Sequence, residues 1–250
     1  VHGALSSSKG LITVHDGDFR TVLCEKYDEC KGTSHYGFYF TGSSGKDVAV
    51  INGGIFDSVT EGYPGLYINN QGIDGGDRDY CEITVNGGTF IDGVWIGSTK
   101  NLKLTVKPEF DFNITNLDVV TTNDEFAKQI ESGYSEIILY GGMFEVPSGA
   151  TNKTLSLIGL GNNVGLYVEP QGMSDGEGGG QLNYSLDGSK VTFDNLIIKT
   201  DGNYQNGFVR MDGTFNNCVF NGTYYLQSYS EFNNCEFNVS ACFRHPLAEL

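Results

Sequence analysis

Val48-Ala49-Val50-Ile51-Asn52-Gly53-Gly54-Ile55-Phe56 runs from an aliphatic stretch through an amide and two glycines to a phenylalanine. A short apolar run bounded by turn residues is strand-like, and the glycines mark where the strand must end. The same template recurs as Val14-His15-Asp16-Gly17-Asp18-Phe19, Val85-Asn86-Gly87-Gly88-Thr89-Phe90, Leu139-Tyr140-Gly141-Gly142-Met143-Phe144 and Arg210-Met211-Asp212-Gly213-Thr214-Phe215. All but the last follow a β-branched or aliphatic run (Leu11 to Val14, Ile83 to Val85, Ile137 to Leu139), so the pattern is strand, sharp turn, strand. Glycine accepts positive φ at the bend. The Asn or Asp before it tolerates the left-handed region and bonds its own backbone, and the Phe returns to the interior.

One such unit cannot bury both faces of its strands. Copies therefore stack about 4.8 Å apart along one axis and build a continuous core. A tighter repeat, Phe215-Asn216-Asn217-Cys218-Val219-Phe220 and Phe232-Asn233-Asn234-Cys235-Glu236-Phe237, recurs after 17 residues, a length that suits one short coil. In that register Asn216 lies on Asn233, Asn217 on Asn234 and Cys218 on Cys235, giving amide ladders and a pair of packed thiols, or a disulfide. The first three glycine templates are 37 and 34 residues apart (Val14 to Ile51, Ile51 to Val85), which fits either two coils per copy or one coil carrying a loop. The expected fold class is all-β, a right-handed parallel β-helix (β-solenoid), with excursions at 62–80 and 172–180.

One segment breaks the β character. Thr121-Thr122-Asn123-Asp124-Glu125-Phe126-Ala127-Lys128-Gln129-Ile130 carries a capping box (Thr122 with Glu125) and apolar residues Phe126 and Ile130 at helical spacing. A short α-helix is expected near residues 122–131. Residues 117–170, with this helix followed by Ile137 to Leu139 and Leu155 to Ile158, resemble the start of right-handed β-helices of the pectate-lyase-like superfamily. Residues 140–240 resemble repeat proteins of that fold on bacterial cell surfaces. The resemblance implies that the helix caps the first coil of a second segment, residues 116–250, preceded by a separate solenoid segment, residues 1–115. The alternative is one continuous solenoid with the helix as a lateral insertion.

Composition narrows the partners. Asp plus Glu number 31 against 15 Lys plus Arg, a formal net charge of -16, so the surface repels phosphate backbones and anionic headgroups. Nucleic acid is not an expected partner. No run of about 18 apolar residues occurs, so no membrane insertion is expected. The start, Val1-His2-Gly3-Ala4-Leu5, lacks an initiator Met and fits a mature or excised segment. Cys242 to Leu250 departs from the coil pattern and fits either a cap or the cut end of a longer array, where open edges would favour end-to-end self-association. Of six cysteines, Cys24 and Cys30 bracket a polar loop that an oxidising compartment would close; two unpaired thiols fit equally well. Five Asn-x-Ser/Thr sequons follow from an Asn- and Thr-rich composition.

Candidate chemistry is sparse. Asp74, Asp77 and Asp79 sit in the Gly-rich stretch Asp74-Gly75-Gly76-Asp77-Arg78-Asp79 and are the candidate calcium ligands, although the calcium-binding nonapeptide is not reproduced and a solvated turn is the more ordinary explanation of such a stretch. No other cofactor is expected. Lyases of this superfamily pair calcium-binding acids with a coil-borne Arg. Here Arg244-His245-Pro246 matches only part of their Arg-x-Pro-x-x-Arg element, because Glu249 stands in place of the second Arg. The four histidines are scattered, and no catalytic residue is named. Tyr224, Tyr225 and Tyr229 are the candidate ligand-binding platform for sugars. Tyr36-Gly37-Phe38-Tyr39-Phe40 is expected to be an ordinary strand. The expectation is a non-enzymatic extracellular or cell-surface protein that binds glycans or host macromolecules. Its rivals are a polysaccharide lyase or glycoside hydrolase on the same scaffold and a structural spacer of a longer surface protein.

Overall fold

The computed structural model describes residues 2–7, 10–21, 35–41, 47–69, 81–99, 102–107, 110, 112–146, 154–168, 180–181, 191–201, 209–222 and 224–238. The chain forms two compact units, Val1–Asp118 and Val119–Leu250. Among the described residues every strand pairing is parallel.

The first unit contains β1 (His2–Ser7), β2 (Leu11–Val14), β3 (Asp18–Arg20), β4 (His35–Thr41), β5 (Asp47–Ile51), β6 (Ile55–Asp57), β7 (Leu66–Asn69), β8 (Cys81–Val85), β9 (Thr89–Phe90), β10 (Val94–Ile96) and β11 (Leu102–Val106). Strands join their sheets in rotation: β1-β4-β7-β10, β2-β5-β8-β11 and β3-β6-β9. One pass of the chain thus adds one strand to each sheet in turn. Leu11 pairs directly with Val48 and Val48 with Glu82, so each glycine template belongs to one pass, and the 37- and 34-residue spacings include extra chain between strands.

Side chains at equivalent positions form ranks across the sheets, because alternate residues of a strand face one side. Phe38, Leu66 and Val94 make one inward rank, and Phe40, Ile68 and Ile96 another; all are at most 1% exposed. Ala49, Ile83 and Leu104 face them from the β2 sheet, beside Val14, Ile51, Val85 and Val106. Phe19, Phe56 and Phe90, the template phenylalanines, stack with centroids 5.0 and 5.1 Å apart. Each fully buried side chain of this size contributes roughly 1.5–3 kcal/mol. The free edge of β10 is closed by a parallel bridge from Val94 to Ile114 and by an amide: Asn116 accepts from Ile96 N at 2.9 Å and donates to Ile96 O at 2.8 Å, as a further strand would.

The template's two glycines have different tasks. Gly54 bends the chain at φ +111°, whereas a Cβ on Gly53 would lie 2.9 Å from the carbonyl oxygen of His15 in the preceding pass. Asn52 and Asn86 do not bond their own backbones as expected. They form a ladder between passes instead, with Asn86 Nδ2 donating to Asn52 Oδ1 at 2.8 Å and Asn52 Nδ2 lying 3.3 Å from His15 Nδ1.

The second unit opens with β12 (Val119–Val120) and α1 (Asn123–Ser132). Thr122 is the N-cap: Glu125 N donates to its hydroxyl at 3.2 Å, and Glu125 Oε2 accepts from Thr121 N and Thr122 N. Those bonds, led by the Thr121 backbone, hold the Glu125 carboxyl below the usual range. Gly133 ends the helix at φ 71°. Phe126, fully buried, packs edge-on against Phe144 with centroids 5.9 Å apart.

Then follow β13 (Glu136–Tyr140), β14 (Met143–Glu145), β15 (Leu155–Leu160), β16 (Gly165–Tyr167), β17 (Gly180–Gln181), β18 (Val191–Asp194), β19 (Ile197–Lys199), β20 (Val209–Asn216), β21 (Val219–Asn221), β22 (Tyr224–Asn233) and β23 (Glu236–Phe237). They alternate between two sheets, β12-β13-β15-β18-β20 and β14-β16-β19-β21-β23, with β17 and β22 also paired to β20. Phe193, Phe215 and Phe232 stack at 4.6 and 5.2 Å, and Phe220 stacks on Phe237 at 4.7 Å.

The fifth template copy departs from the expected strand, turn, strand. Arg210 to Phe215 lies wholly within β20, and Gly213, at φ +138°, sits at an irregularity of the pairing with β22. The turn comes later, at Asn217 (φ 53°). Asn195 and Asn234, both at φ 54°, make the same bend in the neighbouring passes, so Phe193-Asp194-Asn195-Leu196 is a third member of the tighter repeat. The amide ladders form: Asn233 donates to Asn216 at 3.0 Å, Asn234 to Asn217 at 2.9 Å and Asn217 to Asp194 at 3.1 Å.

Candidate functional site

The outward face of the β1 sheet carries an aromatic rank. Tyr39 pairs in register with Tyr67 and Tyr67 with Trp95, each flanked by buried apolar residues that turn inward: Phe38 and Phe40, Leu66 and Ile68, Val94 and Ile96. The flanking residues fix the alternation, so the central ring of each triplet has to point outward. The three rings are partly exposed, with centroids 5.6 Å apart between Tyr39 and Tyr67 and 6.2 Å between Tyr67 and Trp95, both pairs edge to face.

Tyr36 supports the rank. Only 4% exposed, it stacks on Tyr39 at 5.6 Å, lies 4.9 Å from Tyr67 and 6.5 Å from Trp95, and meets Tyr63 edge-on at 5.7 Å. Tyr63 in turn lies 5.7 Å from Trp95. Each aromatic pair adds about 0.5–1.5 kcal/mol beyond its burial, so the rings hold one another in place. The next outward position, Thr41 and Asn69, adds an amide: Asn69 Nδ2 donates to the Tyr39 hydroxyl at 2.6 Å. Gly97 keeps that corner open, since a Cβ there would lie 3.2 Å from both Asn69 Oδ1 and the Tyr67 hydroxyl. Burial, then the neighbouring Tyr39, pushes the Tyr67 phenol up, so it stays a neutral hydroxyl donor at physiological pH. The cluster contains no acidic or basic side chain.

Tyr36 to Phe40, expected to be an ordinary strand, thus supplies two of the five rings. The signal that finds the rank is the triplet of apolar, aromatic and apolar residues: Tyr39, Tyr67 and Trp95 are spaced 28 and 28 residues apart.

The other candidates are less defined. Tyr224 and Tyr225 lie in β22 opposite Val209 and Arg210, and Tyr229 falls in that strand's irregular stretch before Ser230. Asp74, Asp77 and Asp79 lie outside the described residues, as do Cys24, Cys30, Cys242 and Arg244. Among the described residues no group of three or more His, Cys, Asp or Glu converges where it could hold a metal ion. No described helix is long and apolar enough to cross a membrane. Comparison with family models, with curated proteins and with solved structures returns no match.

Proposed function

We propose that this chain is a non-enzymatic extracellular or cell-surface protein, a right-handed parallel β-helix that binds neutral glycans along the outward face of its first unit. The observation that carries the reading is the in-register rank Tyr39, Tyr67 and Trp95, braced by Tyr36 and Tyr63. A sugar ring presents C–H groups on its faces and hydroxyls around its rim. Aromatic rings take the first, and the tyrosine hydroxyls with the Asn69 amide take the second. The cluster is neutral while the chain as a whole carries -16, so an uncharged saccharide reaches it at less cost than a uronate or a phosphate. Stacked passes repeat the contact at a fixed interval, which suits an extended polymer. The rotation of strands through three parallel sheets supports the β-helix, and right-handed crossover between parallel strands is the general rule.

The experiment is an array of neutral oligosaccharides and host extracellular proteins probed with the chain and with Tyr67→Ala and Trp95→Ala variants. Binding to neutral saccharides, weakened on the order of tenfold or more by either substitution, is the expected result. Binding confined to host proteins, or saccharide binding that survives both substitutions, sinks the reading. So does cleavage of any saccharide on the array.

A further inference from the structure

We propose that Cys218 and Cys235 form a redox-active dithiol that closes into a disulfide between consecutive passes of the second unit, by exchange with a low-molecular-weight disulfide. The two cysteines hold one position in successive copies of the tight repeat. Asn216 pairs with Asn233 and Val219 with Glu236, leaving Cys218 and Cys235 at the same place between the same partners. Their surroundings repeat as well: Cys218 Sγ lies 3.6 Å from Phe193 O, and Cys235 Sγ lies 3.3 Å from Phe215 O, the equivalent carbonyl one pass on. Both bends have the same backbone, with Asn217 at φ 53° and Asn234 at φ 54°. Stacked positions are about 4.8 Å apart, inside the usual range of Cα separations for a disulfide. Neither cysteine is in a disulfide.

The pair is asymmetric in a way that assigns the steps. Cys218 is 1% exposed, while Cys235 is partly exposed. Cys218 hydrogen-bonds Cys235, which, with burial, pushes the Cys218 thiol well up and brings the Cys235 thiol down to about 7 despite its own partial burial. Asp194 nearby raises both slightly. Cys235 is therefore the attacking thiolate. It attacks one sulfur of the small disulfide, a mixed disulfide forms on Cys235, and one small thiolate leaves. Cys218 then gives its proton to that thiolate and attacks the Cys235 sulfur, expelling the second small thiolate. Two protein thiols become one disulfide, and the small disulfide becomes two thiols.

The test treats the whole chain with oxidised glutathione under native conditions and maps cysteine-bearing peptides over time. The expected result is a glutathione adduct on Cys235, followed by a peptide linking Cys218 to Cys235 that dithiothreitol reopens. Cys218→Ser stops at the adduct. In Cys235→Ser, Cys218 reacts on the order of a hundredfold more slowly than Cys235 does in Cys218→Ser. If the wild-type chain never yields the linked peptide, the proposal fails, whatever the variants do. Equal reactivity of the two lone thiols also overturns it. The glycan reading of the first unit stands or falls separately.

Discussion

In the first unit the bends after β2, β5 and β8 fall on Gly17, Gly54 and Gly88, at φ +142°, +111° and +123°. In the second, the bends after β18, β20 and β22 fall on Asn195, Asn217 and Asn234, at +54°, +53° and +54°. The two values of φ select the residue. An L side chain is strained beyond the compact left-handed region, so the first set admits glycine alone, whereas near +55° asparagine fits with little strain. The first unit must therefore build its amide ladder from a separate residue, the His15, Asn52 and Asn86 position ahead of the glycines. After β13 and β15 the second unit also bends at glycines, Gly141 and Gly161 at φ +91° and +100°, but its later passes make the bend and a rung of the ladder with one residue, as Asn217 and Asn234 do. Its last two passes repeat after only 17 residues, each crossing two sheets where a pass of the first unit crosses three.

The largest effect should come from the phenylalanine stacks that both units share. Phe56→Ala and Phe215→Ala each remove the fully buried central ring of a three-ring stack and should cost about 3 to 5 kcal/mol in denaturant unfolding. A cost below about 1 kcal/mol for either would mean that its stack is not a core. The turns discriminate more sharply between the units. Gly54→Asn should cost about 1 to 3 kcal/mol, since it places a side chain at φ +111° against Gly17 O and the Phe56 ring. Asn217→Gly, which keeps its bend and loses only ladder bonds, should cost about 1 kcal/mol or less. Equal costs would erase the distinction drawn here.

The smallest effect concerns the charge in the second ladder. Burial raises the Asp194 carboxyl, with the Asn217 and Asn195 hydrogen bonds opposing. A carboxyl with a raised folded pKa holds its proton more tightly when folded, so its contribution favours folding as pH falls through that value and opposes it once ionised. Asp194→Asn should therefore stabilise the chain at neutral pH by less than about 1 kcal/mol, given the site's partial exposure, and the gain should vanish at low pH. A gain that grows on acidification would contradict the burial argument.

Much of this was legible in the sequence because the deciding features are local. The glycine template, the Thr122 and Glu125 capping box and the Phe-Asn-Asn-Cys pair each lie within a few consecutive residues. The spacing of the templates was ambiguous because connection length adds to coil length, and only the Leu11, Val48 and Glu82 register separates the two. Phe193 escaped the tight repeat because Asp194 and Leu196 replace Asn and Cys, although Asn195 keeps the bend. The fifth template misled because Gly213 serves a strand irregularity equally well. The aromatic site was hidden for a different reason. Its five rings lie between residues 36 and 95 and meet only when the passes stack, so a search for clustered tyrosines finds Tyr224, Tyr225 and Tyr229 first.

Trp95 is the only tryptophan of the chain, and it sits at the end of the proposed binding rank. Its emission therefore reports the site without a label. Titration with the neutral oligosaccharide that binds best on the array should shift or quench that emission saturably, with a midpoint matching the affinity measured by calorimetry, and Tyr67→Ala should weaken both together. Emission that stays constant while calorimetry shows the saccharide bound would place the ligand elsewhere and contradict the account.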